Sequence, residues 1–151
     1  MKDLAENQPD KVAFIGGGNM TRAIVLGMLK NGIAAGNILI SEPDGDRRDA
    51  LAAEMPGVTI SAANEDTVAQ AATVVLAVKP QVLPAVCQAL ARAAQQYRPL
   101  VISIAAGARI ADIDAWLGGD LAVVRVMPNQ PALLGLGVSG LVGNERSGEA
   151  E

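Results

Sequence analysis

The chain has 151 residues, a formal charge of −4 from 12 basic and 16 acidic side chains, and is 50% apolar with only 2% aromatic residues. That length suits one domain, the apolar content excludes a disordered chain, and acidic balance without aromatic platforms speaks against nucleic-acid binding. Histidine is absent and Cys87 is the single cysteine, which excludes a Ser-His-Asp or Cys-His site, a His-based zinc site and an internal disulfide; no metal is expected.

Residues 1–10 read as a solvated tail, carrying acids and no apolar h-region of a signal peptide. Val12–Ile15 is a short apolar run ending in three glycines, which predicts a buried strand. Met20, Ala23, Ile24, Gly27 and Met28 then recur at helical spacing, with Lys30 in the last turn and Gly32 as the stop. The alternation continues with a strand at Ile38–Ser41, a turn at Pro43-Asp44-Gly45, a charged helix over Asp46–Glu54 and a short strand at Val58–Ile60. Glu65–Ala71 reads as a helical crossover. Thr73–Val78 is a continuous β-branched run, as in a strand covered on both faces, and Lys79-Pro80 ends it. Pro84–Tyr97 reads as a helix with proline in its first turn, Leu100–Ala105 as a strand, Ile110–Leu117 as a helix stopped by Gly118-Gly119, and Ala122–Met127 as a strand. Val138–Val142 is a candidate last strand, and residues 144–151 read as a frayed polar end.

Strands alternating with helices at this spacing imply an α/β fold of Rossmann type, a doubly wound, mostly parallel sheet over residues 11–143. The longest uncharged stretch, Val126–Asn144, is interrupted by Pro128, Asn129, Gln130 and Pro131 and does not suit a membrane span. The expected location is the cytoplasm, with a reducing environment for Cys87.

Gly16-Gly17-Gly18-Asn19-Met20-Thr21 closes the first strand and opens the first helix. Gly16 permits a tight turn, Gly18 lets the backbone approach a pyrophosphate, and the helix start offers free N–H groups to an anion. The third fingerprint position, where Gly or Ala packs helix on strand, holds Thr21. There is no Gly-Lys-Ser/Thr of a P-loop. At the end of the second strand an acid selects NAD and an arginine accepts the 2′-phosphate of NADP; Ser41 and Glu42 are followed by Arg47 and Arg48, so both options stand. A Glu42 aimed at the ribose would repel a 2′-phosphate.

Together with Phe14-Ile15-Gly16-Gly17-Gly18-Asn19-Met20, three further segments, Leu76-Ala77-Val78-Lys79-Pro80-Gln81, Ser103-Ile104-Ala105-Ala106-Gly107 and Arg125-Val126-Met127-Pro128-Asn129-Gln130-Pro131, form an ordered set that resembles Δ1-pyrroline-5-carboxylate reductase from about Lys11 to about Gly143. The resemblance implies reduction of the cyclic imine pyrroline-5-carboxylate to proline, the last step of proline biosynthesis, with NADP(H), or alternatively NAD(H), as coenzyme. It implies that Gly16, Gly17, Gly18, Asn19 and Met20 hold the pyrophosphate and that Ser41 lies near the adenosine ribose. Asn64 matches a coenzyme-contacting asparagine. Ala77, Val78, Lys79 and Pro80 would flank the nicotinamide ribose, Ala105, Ala106 and Gly107 would pass the nicotinamide, and Asn129 would face the substrate. Gln130 departs from the family's usual threonine, which puts that position's role in doubt. Family members are nearly twice as long; the resemblance implies a helical C-terminal domain, absent here, that forms the homo-oligomer and much of the substrate pocket, so that this half alone is inactive. Lys79 reads as a solvated cation, Arg125 as a structural ion pair, Cys87 and Trp116 as packing residues, and no general acid is assigned. The competing functions are another Rossmann reductase, of β-hydroxyacid or F420-dependent type, and a non-enzymatic nucleotide-binding module.

Overall fold

A computed structural model describes residues 10–127 and 140–148. Its elements in chain order are β1 (Val12–Ile15), α1 (Asn19–Lys30), β2 (Ile38–Ser41), α2 (Gly45–Glu54), β3 (Thr59–Ser61), α3 (Asn64–Val68), β4 (Thr73–Leu76), α4 (Leu83–Tyr97), β5 (Leu100–Ser103), α5 (Ile110–Trp116), β6 (Val123–Met127) and β7 (Gly140–Gly143), with one 3-10 turn at Ala35–Asn37. The strands form a single sheet in the order β3-β2-β1-β4-β5-β6-β7. The first six run parallel, and β7 adds an antiparallel edge.

The order follows from how each strand buries both faces. In β1, Ala13 and Ile15 join the core under α4 and α5, while the intervening Phe14 joins the core under α1 and α2. Ile38 and Ile40 of β2 do the same on the α1 side, with Leu39 on the other. Period-2 alternation thus supplies two apolar layers, and each fully buried Ile or Leu contributes about 1.5–3 kcal/mol. The small, aliphatic composition allows this without aromatic bulk: Phe14 is the only aromatic side chain among the fully buried ones described.

The expected doubly wound sheet is therefore present, and its differences from the sequence reading are local. Of the run Thr73–Val78, the strand covers Thr73–Leu76, and Ala77 adds one last bond to β1, its N–H donating to the Ile15 carbonyl at 2.9 Å. The second helix starts a residue earlier than expected, at Gly45, because the Asp44 carboxylate accepts the Arg47 N–H at 2.9 Å and caps it. Of the expected last strand, Val138 and Ser139 fall outside the described residues, and the rest lies in β7, which ends at Gly143 and pairs antiparallel with β6. Arg98 takes a left-handed conformation (φ 47°) to end α4 where no glycine is available.

Candidate active site at the carboxyl edge of the sheet

Neighbouring strands end level with one another. Ile15 of β1 pairs with Ser41 of β2 and with Leu76 of β4, and Leu76 pairs with Ser103 of β5. The next residues, Gly16, Glu42, Ala77 and Ile104, form a row along the carboxyl edge. Backbone bonds stitch it: Gly16 N–H to Ser41 carbonyl (2.8 Å), Ala77 N–H to Ile15 carbonyl (2.9 Å), Ile104 N–H to Leu76 carbonyl (3.1 Å) and Glu42 N–H to Ser61 carbonyl (2.8 Å). The order in which strands are added reverses between β1 and β4, which is the switch point where open parallel sheets bind ligands.

The glycine turn occupies that point. Gly16 has φ 105°, and a Cβ there would lie 2.7 Å from the Ala77 carbonyl oxygen, so both its conformation and its space demand glycine. Gly17 is buried, and a Cβ on it would meet the Leu51 side chain at 2.7 Å and Glu42 Cβ at 3.1 Å. Gly18 differs from both. It caps α1 with no side-chain hydrogen bond, and a Cβ on it would touch nothing within 4 Å. The start of α1 therefore faces open space with its first N–H groups uncapped by any side chain, which fits a diphosphate.

Thr21 turns out to suit the third fingerprint position. It is fully buried against the sheet, and its hydroxyl donates to the Gly16 carbonyl at 2.7 Å. The small side chain keeps the close packing, and the hydroxyl satisfies the turn's inward carbonyl.

Glu42 is not aimed outward toward a ribose. It is 4% exposed; Oε2 accepts the Gly17 N–H at 2.8 Å, Oε1 accepts the Asp44 N–H at 3.0 Å, and Arg47 Nη1 lies 3.5 Å from Oε2. Arg48 is used by the backbone, donating to the carbonyls of Glu42 (2.9 Å) and Pro43 (2.7 Å). Arg47, half-exposed, is the less committed of the two guanidinium groups. Ser41 is buried and its hydroxyl donates to Oδ1 of Asn64, the first residue of α3, so these two predicted residues meet as a pair.

On the other side of the switch point, Ala77 and Val78 are half-buried, and Lys79 and Pro80 are exposed at the head of α4. Ala105 is buried, while Ala106 and Gly107 form an exposed turn with Gly107 at φ 78°. Gly16–Met20, Ala77–Pro80 and Ala105–Gly107 thus all lie on one edge. Asn129 and Gln130 fall outside the described residues. Among the described residues Arg125 joins no ion pair, and its buried Nε has no hydrogen-bond partner there. Cys87 is buried in α4, which pushes its thiol up to about 11 and leaves it protonated at neutral pH. Trp116 packs half-buried on the core. Among the described residues no cluster of His, Cys, Asp and Glu could hold a metal ion, and no helix is long and apolar enough to cross a membrane.

Sequence reasoning missed Glu42's inward role. The signal available was only its position after β2, which is also where a ribose-binding acid stands, and which way the carboxylate turns is decided by the free Gly17 amide across the sheet.

A glycine turn at the switch point of a sheet whose first six strands run 3-2-1-4-5-6 is the arrangement of a dinucleotide-binding domain. The chain belongs to the family described as NADP oxidoreductase, coenzyme F420-dependent, whose profile matches residues 11–107. The resemblance to pyrroline-5-carboxylate reductase holds in its relatives. The chain is 44% identical over 141 residues to pyrroline-5-carboxylate reductase of Pseudomonas aeruginosa, covering 93% of this chain and 51% of that protein. It is 47% identical over 131 residues to that of Vibrio alginolyticus, covering 87% and 47%. The solved structure of a pyrroline-5-carboxylate reductase from Coxiella burnetii superposes with a TM-score of 0.90 at 36% identity, covering 95% of this chain and 53% of that one. The Plasmodium falciparum pyrroline carboxylate reductase, solved with NADP bound, superposes with a TM-score of 0.79 at 25% identity, covering 93% and 50%. The chain spans about half the length of the curated relatives it matches.

Proposed function

We propose that residues 11–143 are the coenzyme domain of a pyrroline-5-carboxylate reductase, an NADP(H)-dependent cytoplasmic enzyme that reduces the C=N bond of the cyclic imine to give proline. The observation that carries this reading is the open corner at Gly18, two residues after the Gly16 that packs on Ala77 at the switch point, and uncapped by any side chain. The kinship with pyrroline-5-carboxylate reductases supplies the reaction class.

In this reading Gly16–Met20 hold the diphosphate against the uncapped amides of α1. Ser41 and Asn64 support the adenosine side, and Arg47 is the cation within reach of a 2′-phosphate. Ala77, Val78, Lys79 and Pro80 would flank the nicotinamide ribose and Ala105–Gly107 would pass near the nicotinamide, while Asn129, which lies outside the described residues, is carried as the substrate-side residue. Reduced nicotinamide, when bound, supplies the hydride. The chain's own contribution would be to fix the diphosphate at the glycine turn and to position the nicotinamide beside the ends of β4 and β5. The remainder of the substrate pocket and the homo-oligomer contacts belong to the part of the relatives that this chain does not span.

Titration with NADPH and NADH tests the reading. Wild type binds NADPH, and Gly18→Asp abolishes binding of both coenzymes, because an acid then stands where the diphosphate does. The same variant keeps its fold, since Gly18 has φ −76° and open space around it, and aspartate is a favourable helix cap. Unchanged affinity in a folded Gly18→Asp overturns the assignment.

A further inference from the structure

Glu42 stands where an acid discriminates between coenzymes, yet nothing in its geometry lets it do so. Burying a carboxylate is costly unless its oxygens are paired. Here each oxygen takes one backbone N–H, from Gly17 and from Asp44, with Arg47 beside them. The two donors belong to different loops, so one side chain ties the glycine turn to the start of α2. The contact is close-packed as well as polar: any Cβ on Gly17 would meet Glu42 Cβ at 3.1 Å and Oε2 at 3.2 Å. Gly17 directly precedes Gly18, the residue that opens onto solvent. Whatever fixes the Gly17 peptide therefore fixes the direction of the amides that follow it.

We infer that Glu42 is a positioning residue for the diphosphate site: its carboxylate holds the Gly17 amide, and thereby the backbone at Gly18, and does not read the ribose. The inference rests on the proposed coenzyme role of this edge and adds a consequence to it. Coenzyme preference is independent of Glu42, despite its place at the end of β2. Charge-assisted bonds to backbone N–H groups are about twice as strong as neutral ones, which suits a carboxylate better than an amide for this task.

The test measures affinities for NADPH, NADH and adenosine in wild type, Glu42→Ala and Glu42→Gln, together with the Gly17 amide resonance and its hydrogen exchange. Glu42→Ala weakens NADPH and NADH by a common factor of about tenfold, leaves adenosine, which carries no phosphate, unchanged, and accelerates exchange at Gly17. Glu42→Gln keeps an acceptor oxygen and recovers most of both affinities. If Glu42→Ala does not fold, Glu42→Gln still decides: a small equal weakening supports the inference. A variant that tightens NADPH while weakening or sparing NADH overturns it, as does a Gly17 amide that does not respond. Should wild type bind neither dinucleotide, the coenzyme role fails, while the Gly17 amide still reports separately whether Glu42 holds the turn.

Discussion

The two halves of the carboxyl edge are built differently. Around β1 and β2, side chains bond to the backbone of neighbouring loops, Thr21 to Gly16, Glu42 to Gly17 and Asp44, Arg48 to Glu42 and Pro43, and the Ser41 hydroxyl bonds the Asn64 side chain. Around β4 and β5 the chain holds itself mainly through its own main chain. The Lys79 carbonyl accepts from Val82 and Leu83, and Lys79 joins none of the ion pairs among the described residues. Gly107 has nothing within 4 Å of where a Cβ would stand. A rigid, cross-tied corner thus sits beside an open one. A diphosphate needs fixed donors and gains from preorganisation, whereas the open half leaves room for a ring, a substrate and further protein.

That contrast predicts where substitution hurts most. Gly16→Ala is expected to have the largest effect, a loss of about 3 kcal/mol or more. Its Cβ would stand 2.7 Å from the Ala77 carbonyl oxygen at φ 105°, and neither backbone can move without breaking the β1–β4 pairing. Urea unfolding of the variant measures this directly. An undisturbed midpoint would mean that the corner is softer than its geometry shows. Thr21→Val comes next: the shape is kept, but the buried Gly16 carbonyl loses its hydroxyl donor, for about 1–2 kcal/mol. Coenzyme affinity in Thr21→Val falls with stability, because the same bond sets the turn. On the open side, Gly107→Ala is expected to cost only about 1 kcal/mol, from its positive φ alone, with no clash to add.

The main-chain frame of both halves was legible in sequence. β1, β2 and the alternation of strand and helix could be read from apolar runs and glycine stops, because burial on both faces forces continuous aliphatic strands. Gly16 and Gly18 could be placed on the turn, and Ala77–Pro80 and Ala105–Gly107 on the same edge, because strand ends in a parallel sheet are level. The cross-ties were not legible. Whether Glu42 faces a ribose or a peptide, and whether Arg48 is a solvated face or a clamp on two carbonyls, depends on which amides and carbonyls another loop leaves unpaired. Thr21 looked like a departure from the fingerprint for the same reason, since its partner is a carbonyl five residues back whose availability follows from the left-handed turn at Gly16.

The smallest effect is expected on the outside of the rigid corner, where Arg22 of α1 and Glu54 at the end of α2 form an exposed ion pair, with Arg22 Nε 2.6 Å from Glu54 Oε2. The hydrogen bond from Arg22 holds the Glu54 carboxyl below its usual range. A folded-state value below the unfolded one stabilises the protein above the unfolded value, and the contribution is lost as pH falls through the folded one. Glu54→Gln should therefore lower the melting temperature slightly at neutral pH, leave it unchanged in acid, and show a smaller difference at about 1 M salt, where the screening length is about 3 Å. Thermal melts of both proteins across pH and salt check this. A drop at pH 7 as large as that of Thr21→Val would mean that the rigidity of the corner is set by its solvent-facing charge pair as much as by the buried bonds beneath it.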